Sequence, residues 1–527
     1  MLVKRIGMVL FAIGSCLFLI PSFSHAKLDP ADITKQDVIV PKGTWEEATV
    51  PDTLDLAQRA EMALNYMVNN VVPEKGYSLY HIFYFDRNPP KEDQLTWNLP
   101  VKMLRVYPWV RTMTGSRQGL DIEAATMRTY LGQIDDKGIV RYPYGGEGVP
   151  EGTAYAYTSG MLAIASENWY RRDDNPQWLQ WIAEITRGLR LMAIKVEDRA
   201  YYPPESGYKT DNTWHWTTRE GATPFMPYTP PTEPDYEQQG YEGCVKYDQS
   251  AALRALVKDY LHNNSEESLD LAQKLVRFMM KPGMWKDTTA EGYPGAEHGI
   301  WEGHFHGNVT ALHGLMEYAQ ATGDEKMKQI VREAYDHTVR NSIIRMGWSP
   351  FWLPPAGFNR PKYLSGWCDT CNVADTIVLA VKLTDAGMGD YWDDVDSLVR
   401  NQLVEQQITD LDLMRKVSGG GEANDPLLKK FWGGYGGLEP TQAKPLTYGC
   451  CSANGPMGLY YAWHGITRYD EGVATVNLFL NRATSWMDVS SYLPFEGKVV
   501  LNNKKAHTAL VRVPKWVDRE KITCSVN

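Results

Sequence analysis

Two short stretches concentrate four of the seven cysteines of the chain. The first reads Gly-Trp-Cys-Asp-Thr-Cys at 366–371, and the second reads Tyr-Gly-Cys-Cys-Ser at 448–452. Thiolate sulfurs and one carboxylate oxygen can together complete a closed tetrahedral zinc site. A metal-bound thiol is deprotonated and therefore becomes a nucleophile. Because the two stretches are far apart in sequence, only the fold can bring them together.

The spacing of these cysteines leaves three interpretations open. Cys368 and Cys371 could close a disulfide loop, whereas Cys450 and Cys451 could form only a strained vicinal ring. The other interpretations are a metal site and a set of buried free thiols.

The overall composition limits the classes of partner. The chain has 527 residues, enough for a large core and an accessory module, and a formal net charge of −10. This charge argues against nucleic acids and anionic membranes as partners. Aromatic residues make up 12% of the chain, and flat rings stack on sugar faces as well as filling cores. Aromatic content alone is weak evidence for a carbohydrate partner.

The segment 1–26 has the pattern of a bacterial signal peptide. Lys4 and Arg5 precede an apolar run at 6–20, and Ser-His-Ala at 24–26 is a small-x-small cleavage site. The apolar run is too short to span a bilayer comfortably. The sequence therefore predicts a secreted or periplasmic protein with no membrane span after cleavage.

A polar leader at 27–50 precedes a long series of amphipathic helices. Two helices open with the same residues, Leu-Asp-Leu-Ala-Gln, at 54–58 and 269–273. Other apolar repeats with helical spacing lie at 96–114, 119–133, 153–171, 176–194, 246–263, 305–322, 325–341, 373–386, 391–408 and 454–466. The longest connections, rich in Gly, Pro and aromatic residues, are at 73–95, 134–152, 195–244, 282–304, 342–370 and 410–449. Paired helices with such loops predict a mainly α fold, an (α/α)6 toroid or barrel of helical hairpins, over residues 51–468.

The pattern changes to short β-type runs at residue 469. These runs are at 473–480, 485–491, 497–501, 508–513 and 522–526. They predict the start of a β-sandwich over 469–527. The abrupt stop at Asn527 predicts a sandwich that is incomplete because the chain is truncated at its C-terminus.

The two cysteine segments, Cys-Asp-Thr-Cys-Asn-Val-Ala-Asp at 368–375 and Tyr-Gly-Cys-Cys-Ser-Ala-Asn-Gly at 448–455, resemble glycoside hydrolase family 127. These are the β-L-arabinofuranosidase-like proteins. The resemblance extends through 306–324, which begins His-Gly-Asn-Val-Thr-Ala-Leu-His, and continues at 374–402, 476–494 and 511–516. It covers roughly residues 240–527. It implies an (α/α)6 barrel followed by β-sandwich modules, and it favours the metal interpretation of the cysteines.

The resemblance also implies a ligand set for zinc. In the family a Glu-x-Cys unit and a vicinal Cys-Cys pair hold the metal, which corresponds here to Cys371, Cys450 and Cys451. The carboxylate position falls on Asp369, one methylene shorter than the Glu of the family. Cys368 is therefore a rival for the fourth position.

A retaining mechanism with Cys450 as the nucleophile follows from the same resemblance. The acid/base Glu of the family would lie near residues 351–353, but no Asp or Glu occurs between Asp336 and Asp369. Glu302 is the alternative acid/base that we would test, because it lies in a long loop with two histidines. Alternatively, Glu302 is an ordinary carboxylate near the start of a helix.

The loop around Glu302 also supplies the candidate substrate contacts. These are Trp301, His304, His306 and Asn308. The two histidines have three possible roles: binding sugar hydroxyls, a structural role, and forming a second metal pair.

The sequence thus predicts an exported glycoside hydrolase that uses a zinc-bound cysteine thiolate, with β-L-arabinofuranosides as the default substrate. Two alternatives remain open. One is a toroid enzyme that acts on a different sugar or is a lyase. The other is a non-catalytic glycan-binding protein with structural zinc.

Overall fold

The computed structural model describes residues 28–33, 51–143, 151–203, 206–216, 245–281, 303–343, 346–353, 368–436 and 446–526. Within these residues the chain is mainly helical, with fourteen α-helices and several small sheets. The predicted signal peptide and nearly all of the leader lie outside the described residues. The limits of the predicted domains stay predictions.

The helices are α1 (Leu56–Asn69), α2 (Pro100–Thr114), α3 (Leu120–Leu131), α4 (Ala156–Asp173), α5 (Gln177–Met192), α6 (Val245–Asn263), α7 (Glu266–Met279), α8 (Phe305–Thr322), α9 (Glu325–Ser342), α10 (Thr370–Asp385), α11 (Trp392–Leu398), α12 (Leu411–Ser418), α13 (Asp425–Phe431) and α14 (Gly449–Ile466). A π-helical turn, Val399–Leu403, continues α11.

The strands are β1 (Val71–Val72), β2 (Ser78–Tyr84), β3 (Lys91–Thr96), β4 (Ile194–Val196), β5 (Arg199–Tyr201), β6 (Ser206–Tyr208), β7 (Trp214–Trp216), β8 (Gly303–His304), β9 (Trp352–Leu353), β10 (Leu446–Tyr448), β11 (Thr467–Asp470), β12 (Val473–Val476), β13 (Met487–Ser491), β14 (Val499–Asn503) and β15 (Thr508–Val511).

Six helices form a closed inner ring. Each of α2, α4, α6, α8, α10 and α14 packs on the next, and α14 packs back on α2. Helices α3, α5, α7, α9 and α11 each follow an inner helix and pack on it, and α1 packs on both α2 and α14. The predicted (α/α)6 barrel is therefore confirmed.

The burial of the helices follows their place in the ring. Every residue of α8 from Phe305 to Ala319 is buried, because an inner helix has neighbours on all sides. Helix α9 is amphipathic and exposes charged residues on one face. Between these two helices, Gly323 adopts φ +71° and Asp324 accepts a hydrogen bond from the Met327 amide at 2.9 Å. A left-handed glycine at the end of one helix and an aspartate N-cap at the start of the next are favourable caps.

Two segments that the sequence predicts as loops contain regular structure. The connection at 73–95 contains β2 and most of β3, and β2 also pairs with β1 and β10. The prediction missed β3 because its sequence, Lys-Glu-Asp-Gln-Leu-Thr, lacks apolar alternation. The connection at 410–449 contains the short helices α12 and α13 and strand β10.

The strands after α14 form two small sheets. Strand β12 pairs antiparallel with β11 and parallel with β15, and β13 pairs antiparallel with β14. The predicted strand at 522–526 is wrong, because that segment has no strand partner and its Ile522 and Val526 side chains are exposed. None of the described helices combines the length and the apolar character needed to cross a membrane.

The closest approach of two inner helices gives a test of the ring. A Cβ atom added to Gly160 of α4 would lie 2.4 Å from the backbone carbon of Ala251 in α6. We expect Gly160→Ala to lower the free energy of unfolding by about 1–3 kcal/mol, because the two backbones must separate. Gly497→Ala, where a Cβ meets no atom within 4 Å, is the control. Urea denaturation measures both, and equal stability of the two variants would contradict the packing described.

Candidate active site

The cysteines stand at the starts of two adjacent inner helices. Asp369 is the N-cap of α10, where its Oδ1 accepts a hydrogen bond from the Cys371 amide at 3.0 Å. Cys450 and Cys451 lie in the first turn of α14, which follows β10 directly. Because α10 packs against α14, the two sequence stretches meet.

Three sulfurs form one compact group. The Sγ atoms of Cys371, Cys450 and Cys451 all lie within 4.8 Å of one another. Cys451 Sγ is 3.9 Å from each of the other two sulfurs and donates to Asp369 Oδ1 at 2.7 Å. The three sulfurs and the carboxylate therefore form a group that can hold a metal ion.

Cys368 is buried but lies outside the compact sulfur group. Its carbonyl oxygen accepts a hydrogen bond from Gln406 Nε2 at 3.2 Å, and burial raises the pKa of its thiol to about 11. All five cysteines of the described ranges are free, so the disulfide interpretation of the two stretches does not hold in this structure.

The three clustered thiols differ in their ionisation. Hydrogen bonding from Cys371 and Cys451 holds the pKa of Cys450 well below its usual range, against the opposing effect of burial, and His81 lowers it further. Burial raises the pKa values of Cys371 and Cys451. Of the three thiols, Cys450 is therefore the one whose ionisation this arrangement favours. Only Cys450 of the three is partly exposed.

The other inner helices also direct side chains from their first turns toward this end of the barrel. Lys102 Nζ of α2 lies 5.4 Å from the centre of the Tyr157 ring of α4. The Tyr157 ring stacks on Tyr247 of α6, with centroids 4.5 Å apart. Tyr247 in turn lies 5.4 Å from the His306 ring of α8.

Two histidines connect this series of contacts to the cysteine group. The His306 and His304 rings are 5.4 Å apart, and His304 Nε2 is 4.0 Å from Asp369 Oδ2. Pairing of β8 with β9 holds the His304 backbone in place. The starts of all six inner helices thus contribute to one circuit of side chains, which we call the rim: Lys102, Tyr157, Tyr247, His306, His304, Asp369, Cys371, Cys450 and Cys451.

Lys102 is buried next to the thiolate. Burial alone would lower its pKa, but the negative charge of Tyr157, Cys371 and Cys450 when ionised raises it above the usual value. Lys102 therefore stays cationic, and its positive charge stabilises the negative charge of Cys450.

The structure brings together only part of the predicted site. His304 and His306 lie in the rim, whereas Asn308 Nδ2 donates to the backbone oxygen of His304 at 2.9 Å within the first turn of α8. Trp301 and Glu302 lie outside the described residues.

Sequence reasoning missed three rim residues, which are Lys102, Tyr157 and Tyr247. A usable signal was present for Lys102, because a cation within the apolar run Val-Lys-Met-Leu-Arg-Val-Tyr of a buried helix needs a buried partner.

No protein-family model matches the chain, and no curated protein matches it. Among solved structures, a family 127 β-L-arabinofuranosidase from Geobacillus stearothermophilus is similar with a TM-score of 0.49 and 12% identity, over 89% of this chain and 75% of that chain. A second family 127 β-arabinofuranosidase has a TM-score of 0.47 and 13% identity, over 88% and 67% of the two chains. A family 76 α-mannanase from Bacteroides thetaiotaomicron has a TM-score of 0.47 and 11% identity, over 78% and 95%. Similarity at this level carries no argument about activity.

The ionisation of the cluster can be tested by alkylation. In metal-free protein with Cys524→Ser, which removes an exposed thiol, we expect iodoacetamide to modify Cys450 at pH 6 and to leave Cys368 unmodified. Cys371→Ala should move the pH dependence of Cys450 alkylation to higher pH, because the thiolate loses a hydrogen-bond donor. Peptide mapping by mass spectrometry measures both effects. Equal modification of Cys450 and Cys368 from pH 6 to pH 9 would refute the assignment.

Proposed function

We propose that the chain is an exported, retaining glycoside hydrolase that uses Cys450 as its nucleophile and zinc as its cofactor. One observation carries the proposal. A partly exposed Cys450 with a lowered pKa lies beside two buried thiols and the Asp369 carboxylate, inside a rim of aromatic and ionisable side chains. A group of this kind combines a nucleophile with a metal site.

The sulfur distances fit zinc. Zinc–sulfur bonds of about 2.3 Å place two sulfurs of a tetrahedral site about 3.8 Å apart, and Cys451 Sγ is 3.9 Å from both Cys371 Sγ and Cys450 Sγ. Asp369 Oδ1 lies 2.7 Å from Cys451 Sγ, so the carboxylate is in direct contact with the sulfur group, and the thiol proton is lost when a metal binds. Asp369 rather than Cys368 therefore completes the ligand set.

The nucleophilic role falls on Cys450 because it is the cluster thiol that a substrate can reach. Bound zinc would keep the thiolates deprotonated and lower the basicity of the Cys450 sulfur. Lys102 and the first turn of α14 stabilise the same negative charge. Attack of this sulfur on the anomeric carbon and later displacement by water retain the anomeric configuration.

The proposed substrate is a glycan that contains β-L-arabinofuranose, and the resemblance of the cysteine segments to family 127 is the reason for this choice. The Tyr157 and Tyr247 rings supply flat apolar surfaces of the kind that stack on sugars. Export rests on the sequence pattern at 1–26.

A second candidate is a glycan-binding protein with structural zinc, or a toroid enzyme with other specificity or chemistry. The observation that favours it is the absence of any Asp or Glu at 337–368, where the resemblance places the acid/base carboxylate.

Hydrolysis of p-nitrophenyl β-L-arabinofuranoside by the zinc-loaded protein tests the nucleophile. We expect turnover that Cys450→Ser reduces by at least about 10³-fold, because the thiolate is lost. Cys524→Ser is the control, since that cysteine is exposed and distant in sequence from the cluster. Turnover unchanged by Cys450→Ser would eliminate the thiolate mechanism. A folded, zinc-containing protein with no turnover would favour the second candidate.

The ligand set is tested by metal content. We expect Asp369→Ala and Cys371→Ala to weaken zinc binding by at least about 100-fold, because each removes a ligand. Cys368→Ala is the matched control, as it removes a neighbouring buried thiol outside the sulfur group. Competition with a chromogenic chelator measures the affinities. If Cys368→Ala weakens binding while Asp369→Ala does not, the fourth ligand is Cys368.

A further inference from the structure

His306 in the first turn of α8 is held by a carboxylate from the neighbouring inner helix. Its Nδ1 lies 2.5 Å from Asp375 Oδ2 of α10. Both side chains are buried, with exposures of 3% and 1%. A histidine fixed by a carboxylate on one ring nitrogen presents the other nitrogen for proton exchange.

Among the described residues neither ring nitrogen of His306 meets the geometry of a hydrogen bond: Nδ1 has the ion-pair contact with Asp375, and Nε2 has no polar partner. A buried polar atom without a partner costs free energy. His306 belongs to the rim, where its ring lies 5.4 Å from Tyr247 and 5.4 Å from His304. The His306 ring therefore belongs to the same series of side chains as the cysteine group.

The groups around the pair keep Asp375 ionised. Burial alone would raise the pKa of Asp375, but His306, His313 and Arg105 lower it to about 2. His313, the second histidine next to Asp375, has its pKa lowered to about 3, chiefly by burial, so its contribution to Asp375 is confined to acidic pH. Arg254 of α6 adds a further positive charge that acts on Asp375 as well as on His313.

The other ionisable groups of the rim are less suited to exchanging a proton in both directions. Lys102 is kept cationic by its neighbours. Asp369 accepts hydrogen bonds from Cys371 and Cys451 and is a proposed zinc ligand. His304 directs its Nε2 atom at this ligand, 4.0 Å from Asp369 Oδ2, whereas the carboxylate beside His306 is not part of the ligand set.

We propose that His306, positioned by Asp375, is the general acid and base of the hydrolysis, acting on the leaving-group oxygen of the glycoside. This inference rests on the proposed function. It gives His306 the acid/base role, for which the family resemblance would place a carboxylate at 337–368, where no Asp or Glu occurs.

Cys450 Sγ forms a bond to the anomeric carbon while the bond from that carbon to the glycosidic oxygen breaks, and the proton on His306 Nε2 passes to the departing oxygen. Neutral His306 then takes a proton from water, whose oxygen bonds to the anomeric carbon as the carbon–sulfur bond breaks. The thiolate and the protonated imidazole are restored.

The test compares two leaving groups. We expect His306→Gln to lower kcat/KM for methyl β-L-arabinofuranoside by about 10²–10⁴-fold, and for the p-nitrophenyl glycoside by less than about 10-fold, because p-nitrophenolate departs without a proton. His313→Gln is the matched control, since it removes the other buried histidine on Asp375. This control should leave the ratio between the two substrates unchanged. Circular dichroism and zinc content verify that each variant is folded and loaded.

The pH profile tests the positioning role of Asp375. Asp375→Asn should move the alkaline limb of kcat/KM for the methyl glycoside to lower pH, because the protonated imidazole loses its counter-ion. Equal losses on both substrates in His306→Gln, with Cys450-dependent turnover by the parent protein, would overturn the proton-donor role alone. No turnover of either glycoside by the zinc-loaded parent would overturn the proposed function and this assignment with it.

Discussion

Closure of the inner helix ring is the constraint on which the site depends. Helix α14 packs on both α10 and α2, and the approach to α10 is so close that a Cβ on Gly458 would lie 3.1 Å from Ala374 Cα. The cysteines of α10 and α14 can form one group only at that separation. Because the rim residues occupy first turns, their mutual distances are set by how the helices pack rather than by local loop conformation.

Buried charges along the barrel axis fix the register of those helices. The Glu317 carboxylate of α8 forms ion pairs with Arg254 at 3.0 Å, Lys258 at 3.4 Å and Lys382 at 2.9 Å. It therefore links α8 to α6 and α10. Burial opposes ionisation of Glu317, yet the three cations hold its pKa well below the usual value. Buried networks of this kind contribute more to a unique arrangement than to net stability, because desolvation offsets most of the attraction. Sliding one helix would leave several charges unpaired.

The sequence was sufficient for what depends on local patterns and insufficient for what depends on packing. Apolar spacing located twelve helices because it is encoded within single segments, and the two cysteine segments marked the residues of the cluster. Whether Asp369 or Cys368 lies next to Cys451 depends on how the N-cap of α10 is oriented, which the sequence does not reveal. Tyr157 and Tyr247 each look like core residues in sequence, and only the ring places them beside the histidines. Contacts between distant helices leave no periodic signal.

The direction of the inner helices explains why the thiolate lies at this end of the barrel. Helix N-termini carry partial positive charge, which favours the negative charge of Cys450 and Asp369 there. The last turns of inner helices at the other end contain basic residues, namely Arg111, Arg171, Arg172 and Lys382. Charged side chains of both signs therefore complement the helix dipoles. An anionic cysteine cluster at the opposite end would lose this support and would face the carbonyl ends of the same helices.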